Sequence, residues 1–194
     1  MMEIGVIGCR FNHPLGERVL CMWRYLAEHY KVKVHIFTTD RWIDKKGDSR
    51  IKDTKYLKIH KLLTVGARYG QFKHTMPGLP AAMMKYDNIK IFYSKEEPIQ
   101  MGVTWPACLT ANLLKKPFVF FTWENKYQEW FFPIKQVENQ IIKNSAMMLA
   151  GTDPAERVLI RKGADPEKIQ VLAETGIDTE VFKPAKIMPN KVIL

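Results

Sequence analysis

Residues 145–184, SAMMLAGTDPAERVLIRKGADPEKIQVLAETGIDTEVFKP, restrict the fold more than any other stretch. Met147, Met148, Leu149 and Ala150 make the brief apolar run expected of a buried strand. Gly151 and Thr152 turn the chain. Asp153 is placed to cap a helix with Pro154 at its first position and Glu156 reaching back. Val158, Leu159 and Ile160 give that helix an apolar face, and Gly163 ends it as a left-handed C-terminal residue does. Asp165-Pro166-Glu167 makes a second turn, and residues 169–172 re-enter the sheet. Gly176-Ile177-Asp178-Thr179 leaves it, and Phe182-Lys183-Pro184 closes the unit.

The chain ahead of this stretch alternates in the same way. Residues 2–8 read as a first strand, followed by a loop through Arg10, His13, Pro14 and Gly16. The next helix carries Val19, Leu20, Trp23, Leu26, Ala27 and Tyr30 on one face. Residues 31–38 make a second strand, and the polar residues 41–55 a surface loop. A third strand is expected over 57–63. Residues 71–86 read as a helix interrupted near Pro77-Gly78 and Pro80. Strands at 89–94 and 117–122 flank a helix at 102–115, in which Pro106 is tolerable only near the first turn. The second of these strands, rich in phenylalanine, reads as central and buried on both faces. An aromatic loop at 123–133 and a helix at 134–144 complete the series. Strand and helix alternate throughout, so right-handed crossovers wind them into one Rossmann-like α/β layer with a parallel sheet.

Composition narrows the class. With 46% hydrophobic and 26% charged residues the chain is an ordinary globular one. No apolar run approaches the roughly 20 residues of a membrane helix. The start, Met-Met-Glu-Ile-Gly-Val, has no signal-peptide pattern. Cys9, Cys21 and Cys108 are scattered, which fits reduced thiols in a cytoplasmic protein. A P-loop, a Gly-x-Gly-x-x-Gly after the first strand and a metal-binding His spacing are all missing, which disfavours an NTPase or a dinucleotide oxidoreductase. The net charge of +10 permits anionic partners. The lysines, however, form no dense stripe and accompany no nucleic-acid motif, so no nucleic acid is expected.

Gly176-Ile177-Asp178 with Phe182 and Pro184, preceded by the strand–helix–strand unit above, resembles the end of the N-terminal domain of family 4 glycosyltransferases of the GT-B fold. Thr152 stands where that family usually has Ser, and it joins the substrate-binding positions. The resemblance implies domains at 1–184, a Rossmann-like N-terminal half on the acceptor side, and at 185–194, a linker with the first strand of a C-terminal domain. It implies a retaining transfer of a sugar from a nucleotide-sugar donor to an acceptor hydroxyl, with neither metal nor other cofactor. The donor would be held mainly by the C-terminal domain, so this chain alone should be nearly inactive. The acceptor would be a glycan, a lipid-linked sugar or a small molecule. Several relatives dock on membranes, and Lys31, Lys33, Lys45, Lys46, Arg50, Lys52, Lys55 and Lys58 could make a basic surface at the inner membrane face.

Within that frame the first loop offers Gly16, where the family has a Gly pair beside the donor phosphate, and His13, which can bond a sugar or phosphate. The plainer reading is a simple βα turn. Trp123-Glu124-Asn125 follows the central strand, where many members have His-Asp. The family histidine position falls on Trp123 or Glu124. Trp123 can stack on a sugar face, Glu124 can take a hydroxyl proton as the catalytic residue, and Asn125 can bind hydroxyls. The plainer reading is that this loop's aromatics only pack. Glu97, beside Glu96, ends another strand at the same edge and lines the acceptor cleft, unless the pair is a solvated acidic turn. The rival functions are a non-catalytic phosphosugar- or nucleic-acid-binding module and a GT-B sugar epimerase.

Overall fold

The computed structural model describes residues 1–9, 11, 17–42, 45–46, 52–66 and 74–173. In chain order the first strands are β1 (Glu3–Ile7), β2 (Lys33–Thr39), β3 (Arg41–Trp42), β4 (Lys45–Lys46) and β5 (Leu57–Leu62). They are followed by β6 (Ile89–Ser94), β7 (Phe118–Thr122), β8 (Met147–Ala150) and β9 (Ile169–Val171). Seven of these form one sheet in the order β5-β2-β1-β6-β7-β8-β9, with every pairing parallel. β3 and β4 form a separate antiparallel ribbon, a small piece of order inside what reads from sequence as surface loop. The expected Rossmann-like layer is what the chain forms.

Alternation along the strands divides the core. Ile7, Phe37, Phe92, Phe118 and Phe120 face one way, and Val6, Ile36, Tyr93, Val119 and Phe121 the other. The first set packs under four helices, α2 (Leu79–Met84), α3 (Met101–Leu113), α4 (Ile134–Asn144) and α5 (Asp153–Arg161). The second packs under α1 (Glu17–Tyr30), through Val19, Leu20 and Ala27. All five residues of β7 are buried, as its unbroken apolar run requires. Truncating Phe120 to alanine there would cost about 3–5 kcal/mol.

Several expectations need correction. Tyr30 does not share the buried stripe of α1 and is 64% exposed, as is Ile160 of α5 at 42%. Among the described residues, the helix expected over 71–86 is confined to Leu79–Met84, and Thr75 instead bridges to Val65 in an antiparallel pair. Met76 and Met83 are core residues. The cap of α5 is Thr152, whose hydroxyl accepts the Ala155 N–H at 3.3 Å, rather than Asp153, which is the first helical residue. Gly163, with φ of +88°, ends that helix as expected. Pro106 lies beyond the first turn of α3. Its missing N–H frees the Gly102 carbonyl, and the Thr75 hydroxyl supplies the replacement donor at 2.8 Å. The closing motif at 176–184, the boundary at 184 and residues 185–194 lie outside the described residues.

Candidate functional site at the carboxyl edge

The chain direction across the sheet reverses between β1 and β6, since β1 is followed by β2 on one side and β6 by β7 on the other. In an open parallel sheet the crevice outside the strand ends at such a reversal is where ligands bind. The loops after β1, β6, β7 and β8 meet there. His13 and Gly16 belong to the first loop and lie outside the described residues. Glu97, Trp123, Glu124, Asn125 and Thr152 come from the other three, and the structure joins them in a chain of contacts.

Glu97 Oε1 accepts the Trp123 N–H at 2.8 Å and the Thr122 hydroxyl at 3.4 Å. Burial pushes the Glu97 carboxyl above the usual range, and the charges of Glu124 and Glu96 add to that rise against the Trp123 bond. Its neighbour Glu96 is 4% exposed and accepts the Cys9 N–H at 2.6 Å. The pair is therefore no solvated acidic turn.

The indole of Trp123 meets Phe121 edge-on, with ring centroids 5.2 Å apart at 71°. On its other side it lies against Gly151, where a Cβ would stand 2.5 Å from the ring. Trp123 nevertheless remains 42% exposed. A flat apolar surface held by its neighbours and open to water suits stacking on a sugar face. Packing of part of the ring and exposure of the rest therefore coexist at this residue.

Asn125 Oδ1 accepts the hydroxyl of Thr152, which in turn caps α5, so the loops after β7 and β8 are tied. Glu124 Oε2 receives the ammonium of Lys162 at 2.5 Å, and Lys162 also meets Glu138 Oε1 at 2.7 Å. The Lys162 side chain is 5% exposed and that of Glu138 6%, whereas Glu124 reaches water at 24%. Burial holds the Glu138 carboxyl above the usual range, against the opposing pull of Lys162. Glu124 is thus a carboxylate with its charge partner behind it and its other side toward the edge. Lys162 and Glu138 carry no sequence signal, since a lysine just past the end of α5 and a glutamate within α4 are ordinary surface residues by type.

The remaining aromatics of the loop divide. Tyr127 lies under the Arg161 guanidinium, 3.7 Å from the ring centroid. Phe131 and Phe132 are exposed at 71% and 76% and do not pack. At the far end of α4 and α5 a cleft of about 360 Å³ opens beside Lys143, Lys162, Gly163 and Lys168. It faces the carbonyl end of α5, where the lysines complement the helix dipole.

No family model matches the sequence, and no curated protein does. Solved structures do match. HepE from Anabaena, in its complex with UDP-glucose, superposes with a TM-score of 0.66 at 12% identity over 96% of this chain and 47% of that one. Its complex with UDP and glucose gives 0.65 at 11% identity, over 96% and 48%. UDP-GlcNAc 2-epimerase from Methanocaldococcus jannaschii gives 0.52 at 16% identity, over 88% and 45%. What these share with this chain is the fold. The likeness extends the sheet and helices described above to the GT-B type of Rossmann-like domain, and the chain spans about 47% of the HepE chain's length.

Proposed function

We propose that this chain is the acceptor-side, N-terminal domain of a family 4-type, retaining glycosyltransferase that moves a sugar from a nucleotide-sugar to an acceptor hydroxyl. The observation that carries the reading is the carboxyl-edge group itself. An exposed, rigidly backed Trp123 stands beside Glu97, Glu124 and Asn125, on a fold shared with a protein crystallised with UDP-glucose. The charges of Glu96 and Glu124 both reach Glu97, and Lys162 pairs with Glu124 and with Glu138. Carboxyl and amide groups beside an exposed indole suit the hydroxyl groups and ring face of a sugar, which supports the acceptor here. Trp123 would stack on it, Asn125 and Glu97 would bind its hydroxyls, and Glu124 would accept the hydroxyl proton. The donor phosphate falls to the first loop, through Gly16 and His13, and to a second domain.

Transfer is proposed to need no metal, so it should survive a chelator. The 194-residue chain alone should bind sugar yet transfer almost none. Radiolabelled UDP-sugar assays with the chain alone, and with the full coding sequence, test this, and rapid transfer by the chain alone would sink it. A GT-B epimerase is the second reading, favoured by the likeness to the Methanocaldococcus enzyme. Incubation with UDP-GlcNAc separates the two, because an epimerase returns an isomeric UDP-sugar without any acceptor.

The membrane partner is proposed on charge. Lys31 and Lys55 both lie over the Tyr56 ring, their ammonium groups 5.3 and 5.2 Å from its centroid. These residues precede β2 and β5, so they stand at the amino edge, opposite the sugar site. Among the described residues no helix is long and apolar enough to cross a membrane.

A further inference from the structure

Two consecutive acids tie together loops that the sheet alone leaves separate. Glu96 holds the start of the first loop by its 2.6 Å bond to the Cys9 N–H, across 87 residues of sequence. Glu97 holds the start of the third by its 2.8 Å bond to the Trp123 N–H. Their shared turn is fixed from beneath. The fully buried Thr104 hydroxyl of α3 is 3.0 Å from the carbonyl oxygens of both acids, and the Ser94 hydroxyl accepts the Glu96 N–H at 3.2 Å. Cys9 is held further by the Thr39 hydroxyl, which donates to its carbonyl at 2.5 Å. A carboxylate accepting a main-chain N–H makes a charge-assisted bond, shorter and stronger than a neutral one. An acid placed only for solubility would face water.

We propose that Glu96 and Glu97 are positioning residues that fix the first and third loops to one turn, so that the backbone at Cys9 and the ring of Trp123 keep a set separation for a single ligand spanning both. The assignment of that ligand as a sugar rests on the function proposed above; the clamp itself does not. Thr104 makes the turn a rigid pivot, and the two side chains are its arms. A longer or shorter arm misplaces one loop while the sheet stays intact.

Amide hydrogen exchange of the full chain, read by NMR without ligand, tests the clamp. Glu97→Ala should speed exchange at Trp123 by about tenfold, with Phe120 and Phe121 of β7 unchanged. Glu97→Gln keeps a neutral acceptor oxygen at the same reach and should restore part of the protection, to a rate between those of the alanine variant and the wild type. Glu97→Asp keeps the charge but shortens the arm, and should fail to restore it; it also serves if the alanine variant does not fold. Glu96→Ala should act likewise at Cys9. Unchanged exchange at Trp123 in both Glu97→Ala and Glu97→Asp overturns the clamp, as does a glutamine variant no better than alanine. A glucose titration of the wild-type chain, in which Glu97 is intact, separates the two ideas. Local exchange effects without glucose binding uphold the clamp and remove the sugar reading, and glucose binding with unchanged exchange does the reverse.

Discussion

Trp123 depends on a residue that has no side chain. With a Cβ at position 151 only 2.5 Å from the indole, Gly151→Ala must push the ring off its seat. The expected result is a red-shifted Trp123 emission and sugar affinity lowered by about tenfold, or about 1.4 kcal/mol. Fluorescence titration checks both, and wild-type binding by that variant would remove Trp123 from the site. Lys162 makes a second prediction. Lys162→Met strands Glu138, whose side chain is 6% exposed, and should destabilise the fold by about 3–5 kcal/mol. Adding Glu138→Leu should recover most of that loss in urea unfolding, because Glu124 can turn to water. Much of this lay hidden in the sequence. Trp123, Glu124 and Asn125 stand out by residue type and Glu96 with Glu97 as an acidic pair, but the bond of Glu96 does not, since its partner Cys9 is 87 residues away. Thr152 and Asp153 can both cap a helix. What distinguishes Thr152 is a hydroxyl used twice, once toward Asn125 across 27 residues, and local spacing cannot show that.

Elements were more legible than contacts, because strand and helix periods are local properties. The run Phe118–Thr122 could only be an interior strand, and α5 was bracketed by its own turn residues. The helix at 71–86 was misread because Pro77, Gly78 and Pro80 look like interruptions of a helix rather than its start. α3 shows how a proline survives mid-helix. Thr75→Val should leave the Gly102 carbonyl unpaired and cost about 1–2 kcal/mol by urea unfolding. β1, β2 and β5 carry a one-way relay: the Tyr86 hydroxyl can donate to His60 Nδ1 at 3.4 Å, His60 Nε2 to His35 Nδ1 at 3.1 Å, and His35 Nε2 to Glu3 at 3.0 Å. That order requires both imidazoles neutral. Burial, then the charges of His35 and Lys58, push His60 down from 6.5 to about 4. As pH falls from 6.5 toward 4 the unfolded chain takes up a proton that the folded one refuses, so stability declines across that window and levels off below it. The screened effect is on the order of 1–2 kcal/mol. Comparing wild type with His60→Gln at pH 7 and 4.5 checks it; an equal decline in both would rule His60 out.

At the scale of the whole molecule, sheet order places function. The reversal between β1 and β6 gathers four loops at one edge, and the basic residues around Tyr56 stand at the other. The two surfaces should therefore separate by mutation. Lys31→Glu with Lys55→Glu is expected to abolish any low-salt binding to anionic vesicles while leaving sugar affinity unchanged, as flotation and fluorescence would report. The most direct test of the carboxyl-edge site is a two-dimensional NMR titration of the chain with glucose, the simplest probe of the proposed acceptor subsite. The amides of Glu97, Trp123, Asn125 and Thr152 should shift together while those of His35, His60 and Tyr56 stay in place. Shifts confined to the amino-edge lysines, or none at millimolar ligand, would contradict a sugar site at this edge.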